Sequence, residues 1–74
     1  MARVEIESEI TGNVWKIEKQ VGDHVEVDDV IMILESMKME IPVEATEVGT
    51  LTEILVEEEQ QVNEDQVVAI VESD

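Results

Sequence analysis

The chain has 74 residues, and its 20 acidic residues against 4 lysines and arginines give a formal net charge of -16. This length suits one domain with a small core and leaves no room for a second domain or a deep active-site cleft. The negative charge opposes binding to nucleic acid or to an anionic membrane surface, and the absence of cysteine excludes disulfides and thiolate metal sites.

Short apolar segments rich in β-branched residues follow one another along the whole chain, with turn residues between them. Their alternation and spacing predict eight short strands, which indicate an all-β sandwich or barrel. Pro42 cannot donate a hydrogen bond to a neighbouring strand, so its strand should lie at a sheet edge or begin a bend. In chain order, the predicted strands cover residues 4–6, 12–17, 25, 30–35, 39–43, 49–55, 62 and 67–72.

The second half of the chain repeats the first without a gap, at the offset of 37 positions that separates Gly12 from Gly49. Two copies that use the whole length predict one pseudo-symmetric domain over residues 1–74. Residues 53–61 have helix propensity, but their counterpart in the first copy contains the turn signature Val21-Gly22-Asp23, so the repeat predicts a strand and a turn there. The identical pairs include Ile17 and Ile54, Val25 and Val62, Asp28 and Asp65, Val30 and Val67, Ile33 and Ile70, and Glu35 and Glu72.

Lys38 lies directly after the first copy, in the segment Glu35-Ser36-Met37-Lys38-Met39-Glu40. This motif and the twofold repeat resemble the biotinyl and lipoyl carrier domain family, and the resemblance covers essentially the whole chain. It implies a flattened all-β barrel or sandwich of two four-stranded halves related by a pseudo-twofold axis. It also implies that Lys38 projects from a tight hairpin turn and carries a covalently attached cofactor.

The same resemblance assigns roles to the residues around Lys38. Met37 and Met39 offer flexible, polarizable surface to an attaching ligase, although filling gaps in the core is the alternative use of methionine. Glu35 and Glu40 would add polar contacts to the ligase. No metal site is predicted, because no spacing of the carboxylates resembles a calcium-binding loop. The carrier itself needs no catalytic residue, since the ligase supplies the activated acyl group.

Met37 and Met39 favour biotin as the cofactor, because the similar lipoyl domains typically have Asp-Lys-Ala at this turn. The resemblance thus implies a carrier modified by a biotin protein ligase, which moves a carboxyl group between biotin carboxylase and carboxyltransferase sites. The alternatives are a lipoyl carrier modified by a lipoate ligase for acyl or aminomethyl transfer, a carrier that accepts both cofactors, and an unmodified interaction module. We expect a cytoplasmic protein, because the chain has neither a bilayer-spanning apolar run nor a signal peptide. We also expect a monomer.

A few positions depart from the pattern or have an open role. Asp28 and Asp65 stand where the resembling family commonly has glycine, and Glu59 stands where the first copy has Gly22. If the backbone needs positive φ at the two aspartates, each costs on the order of 1 kcal/mol. Trp15, the only aromatic residue, is expected to cover an edge of the core, and docking of a partner is the alternative.

Overall fold

The computed structural model describes residues 2–74 of the predicted domain, and Met1 lies outside the described residues. All eight predicted strands are confirmed, each to within one residue at either end. Residues 53–61 form a strand end and a turn, as the repeat predicted. In the described range there is no helix long and apolar enough to cross a membrane. The strands are β1 (Arg3–Glu7), β2 (Gly12–Ile17), β3 (His24–Val25), β4 (Val30–Ser36), β5 (Met39–Glu44), β6 (Gly49–Ile54), β7 (Gln61–Val62) and β8 (Val67–Ser73).

The strands form two four-stranded antiparallel sheets. We call β5-β4-β2-β7 the hairpin sheet and β1-β8-β6-β3 the terminal sheet. The repeat offset maps the order of one sheet onto the order of the other, which confirms the pseudo-twofold sandwich. Each sheet takes two strands from each copy of the repeat, so the copies interlock. Pro42 lies on β5, at the edge of the hairpin sheet, as predicted.

The repeat extends to individual backbone hydrogen bonds. The Gly22 N–H donates to the Leu51 carbonyl oxygen at 2.7 Å, and the N–H of its counterpart Glu59 donates to the Val14 carbonyl oxygen at 2.6 Å. Each bond joins a turn of one copy to a strand of the other. A buried backbone group without a partner is costly, so each copy depends on the other to satisfy its turns.

Four tight turns have a hydrogen bond from the fourth residue to the first and positive φ at the third. In turn 20–23 that third residue is Gly22, with φ 101, whereas Asp28 has φ 74, Glu59 has φ 73 and Asp65 has φ 68. Positive φ at this position is typical of a type II turn, which favours glycine or asparagine. The strain expected at the two aspartates is therefore confirmed, and Glu59 shares it.

The core lies between the sheets and consists of aliphatic side chains. A Cβ built on Gly12 would lie 2.7 Å from the Glu35 carbonyl oxygen, and a Cβ on Gly49 would collide with the Glu72 backbone. Only glycine fits where β2 meets β4 and where β6 meets β8. The fully buried core residues include Val14, Val25, Ile31, Met32, Leu34, Leu51, Val62, Val68, Ala69 and Val71.

An open groove of about 720 Å³ lies along the edge strands β1 and β5. These two strands lie at the edges of different sheets and do not pair, which leaves more concave space than the chain length led us to expect. The groove is lined by apolar side chains such as Leu34 and Val43 and by carboxylates such as Glu7 and Glu44. Within residues 2–74, no three His, Cys, Asp or Glu side chains are placed to hold a metal ion.

Candidate functional site: the Lys38 hairpin

Strands β4 and β5 form a hairpin whose two turn residues are Met37 and Lys38. Ser36 pairs with Met39 at the end of the ladder, so the connection is a two-residue loop. The φ angles are 50 at Met37 and 68 at Lys38. Two successive positive φ angles are typical of a type I′ turn, which Asn-Gly usually occupies. Methionine and lysine thus hold a backbone conformation that neither residue prefers.

The strands of the hairpin sheet hold this strained turn in place. A left-handed conformation costs a residue with a Cβ about 1–2 kcal/mol. On one side of β4, pairing with β5 is in register from Met32 to Ser36, and on the other side β4 pairs with β2, with Leu34 fully buried. Backbone strain persists only where the surrounding structure determines it, and it concentrates at functional sites. The turn therefore presents Lys38 in a defined direction.

The side chains at the tip face solvent. Met37 is 93% exposed, Met39 is 62% exposed and Lys38 is exposed. The alternative that these methionines fill the core is wrong: Met37 lies in the turn itself, and burial along β5 increases from Met39 through Ile41 to the buried Val43. In the described part of the chain, Lys38 forms no ion pair. Its amine is accessible to an enzyme.

Glu35 and Glu40 lie directly opposite each other beside the tip, and both are exposed. At the equivalent place in the terminal sheet, Glu72 lies opposite Arg3. Opposite charges stabilise a cross-strand pair and like charges destabilise it. The hairpin therefore carries two adjacent carboxylates that strand pairing does not favour, and they form a small acidic surface next to Lys38.

Trp15 lies on β2, at a β-bulge between Val14 and Lys16. Both Trp15 and Lys16 are exposed, and Trp15 is 48% exposed and does not pack in the core cluster. The prediction that Trp15 covers a core edge is wrong, because Trp15 follows the inward-facing Val14 and alternation along the strand turns its side chain outward, while the bulge leaves Lys16 exposed as well.

The sequence interpretation missed a second feature beside the hairpin, a pocket of about 270 Å³. Because Asn13 pairs with Glu35, the pocket adjoins the acidic surface. A signal was present in the repeat, since Trp15 aligns with Thr52 and Glu59 with Gly22. The residues that line the pocket are Asn13, Val14, Trp15, Glu35 and Glu59.

Comparisons with known proteins agree with this geometry. A family model described as "Biotin-requiring enzyme" matches residues 4–71. The chain is 43% identical to the biotin/lipoyl attachment protein of Bacillus subtilis over 56 residues, which are 76% of this chain and 77% of that protein. It is 38% identical to the biotinylated protein TB7.3 homolog of Mycobacterium leprae over 52 residues, which are 70% of this chain and 73% of that protein.

Solved structures give the same picture. The urea carboxylase of Kluyveromyces lactis matches 96% of this chain with a TM-score of 0.91 and 38% identity. A single-chain, multi-domain long-chain acyl-CoA carboxylase matches 97% of this chain with a TM-score of 0.88, and at 18% identity this likeness shows the fold alone. The chain spans 6% and 7% of those two proteins. On the match over residues 4–71 and the identity to its relatives, the chain belongs to the biotin/lipoyl family of carrier domains.

Proposed function

We propose that this protein is a biotin carrier and that biotin is attached covalently to Lys38. The observation that carries the proposal is the strained two-residue turn, which presents an exposed lysine between two exposed methionines. The family match, whose model is described as biotin-requiring, supports biotin as the cofactor. A relative that is itself named a biotinylated protein homolog supports the same choice.

The chemistry of attachment asks little of the domain itself. Lys38 Nζ, once it has lost a proton, attacks the acyl carbon of a biotinyl adenylate that a biotin protein ligase supplies. An amide bond forms, and AMP leaves with the electron pair of the broken carbon–oxygen bond. The exposed amine suits this step, and a rigid turn lowers the entropic cost of placing it in the ligase active site. The domain is a carrier and contributes no catalytic residue.

We assign recognition by the ligase to the residues around Lys38. Met37 and Met39 provide exposed, polarizable surface that adapts to more than one partner site. Glu35 and Glu40 form the acidic surface beside the tip, which would attract a basic group of the ligase and orient the approach. All four side chains are on or next to the turn, so one enzyme can contact them while it holds Lys38.

The attached biotin supplies the nitrogen that takes up a carboxyl group. The chain contributes the position of Lys38 and a surface that meets successive active sites, which we propose are those of biotin carboxylase and carboxyltransferase components. The likeness to the urea carboxylase of Kluyveromyces lactis supports partners of this class. We further propose a monomer, because a net charge of -16 repels a second copy.

Intact mass after expression with a biotin protein ligase, and separately with a lipoate ligase, tests the proposal. We expect one biotin per chain and no lipoate. Lys38→Arg keeps the positive charge but removes the primary amine that is acylated, so this variant should gain no mass. Lys16→Arg is the matched control on β2 and should still gain one biotin. Biotin on the Lys38→Arg variant would contradict the site, and preferential addition of lipoate would contradict the cofactor.

A further inference from the structure

Three differences between the two copies of the repeat lie close together on the hairpin sheet. Glu40 is the cross-strand partner of Glu35. Trp15 and Glu59 line a pocket together with Glu35. The turns at Gly22 and Glu59 make equivalent backbone hydrogen bonds, so these bonds do not require a glutamate at position 59. Three of the pairs that differ between the copies are Trp15 and Thr52, Glu59 and Gly22, and Glu40 and Arg3.

The pocket, which we call the Trp15 pocket, has a volume of about 270 Å³. An indole and the carboxylates of Glu35 and Glu59 line it, and all three side chains are exposed. Lys16, next to Trp15 in the chain, is paired instead with Glu18 at 3.8 Å. Among residues 2–74 no ion pair involves Glu35 or Glu59. The pocket thus offers an aromatic face and two carboxylates without a cation, a combination that attracts a positively charged group.

The backbone at Glu59 has a conformation that favours glycine. Its φ is 73, and the counterpart Gly22 has φ 101 with no atom within 4 Å of an added Cβ. Glycine is the residue that this conformation favours, and it already occupies the equivalent turn. Asp28 and Asp65 have similar φ in their own turns, so what distinguishes Glu59 is its position beside Trp15 and Glu35.

We propose that the Trp15 pocket binds an arginine side chain of the biotin protein ligase. A guanidinium group is planar, so it can stack on the indole while it donates two parallel hydrogen bonds to a carboxylate, which the ammonium group of lysine cannot do. Because Asn13 pairs with Glu35 close to the tip, the pocket lies within reach of an enzyme that holds Lys38. This inference rests on the proposed function and names a recognition surface for it.

Steady-state kinetics of biotinylation by the ligase tests the inference. Trp15→Thr and Glu59→Gly each introduce the residue of the other copy. We expect KM to rise about tenfold for Trp15→Thr and about threefold for Glu59→Gly, with little change in kcat, since a desolvated cation–π contact is worth about a factor of ten or more. Trp15→Leu keeps an apolar side chain without a π face and should raise KM as much as Trp15→Thr. Glu72→Gln, the counterpart of Glu35 on the terminal sheet, is the matched control and should leave KM unchanged.

A direct binding measurement complements the kinetics. Trp15 is the only tryptophan, so a carrier grown on fluorotryptophan has a single fluorine resonance. That resonance should shift or broaden when ligase is added to the Lys38→Arg variant. Wild-type KM in Trp15→Thr, or wild-type KM in Trp15→Leu, would overturn the proposed contact while biotinylation of Lys38 still stood. A wild-type chain that gains no biotin would overturn the proposed function, and the inference with it.

Discussion

The turns at Gly22 and Glu59 allow a reciprocal test of backbone strain. They occupy equivalent places, make equivalent hydrogen bonds and differ in the residue that holds positive φ. We expect Glu59→Gly to stabilise the fold and Gly22→Ala to destabilise it. No atom lies within 4 Å of a Cβ added at Gly22, so the second substitution introduces strain without a steric clash.

The size of the effect follows from two opposing terms. A residue with a Cβ costs about 1–2 kcal/mol in the left-handed region, and glycine loses about 0.5–1 kcal/mol more conformational entropy on folding. The net change in the free energy of unfolding should therefore be about 0.5–1 kcal/mol, positive for Glu59→Gly and negative for Gly22→Ala. For a domain of this size, that corresponds to a change in melting temperature of about 2–8 °C.

Reversible urea and thermal unfolding, followed by circular dichroism, measures the difference. Glu59→Ala is the control, because it removes the same negative charge as Glu59→Gly but keeps the Cβ. Relief of charge repulsion alone would stabilise both variants equally. If Glu59→Gly is no more stable than Glu59→Ala, the strain at this turn is not a significant cost and the reasoning is wrong. A more stable Glu59→Gly that also binds ligase less tightly would show that the chain retains strain for recognition.

Two further predictions concern charge. Glu40→Arg should stabilise the domain by about 0.5–1 kcal/mol, because it replaces the like-charge cross-strand pair with Glu35 by an opposite-charge pair. Urea unfolding measures the change, and an unchanged free energy of unfolding would mean that the two carboxylates do not interact. The unmodified domain should melt at a higher temperature in about 0.15 M than in about 0.01 M sodium chloride, because the Debye length falls from about 30 Å to about 8 Å. Within residues 2–74 its acidic residues form two ion pairs, with Arg3 and Lys16, both exposed, and one contact with His24, so a flat or falling melting temperature would instead indicate a bound cation.

The local elements could be read from the chain because their signals are local. Alternating apolar residues define β1 and β5, and turn residues separate the strands, so the bounds agree to within one residue. The repeat corrected the one segment where local propensity was misleading, residues 53–61, because the same strand and turn occur in the first copy. The segment around Lys38 also stood out without coordinates, since it lies at the junction of the copies.

Other properties depend on contacts between residues that are far apart in the chain. The repeat alone does not say that each sheet takes strands from both copies, because pairing partners are chosen by packing across the whole domain. The bulge that leaves both Trp15 and Lys16 exposed depends on the register of β2 against β4, which alternation along a single strand cannot reveal. In the Trp15 pocket, Glu59 of the second copy lies beside Glu35 of the first copy. The strain at Met37 and Lys38 exists because the paired strands impose a two-residue turn on a sequence that does not favour it.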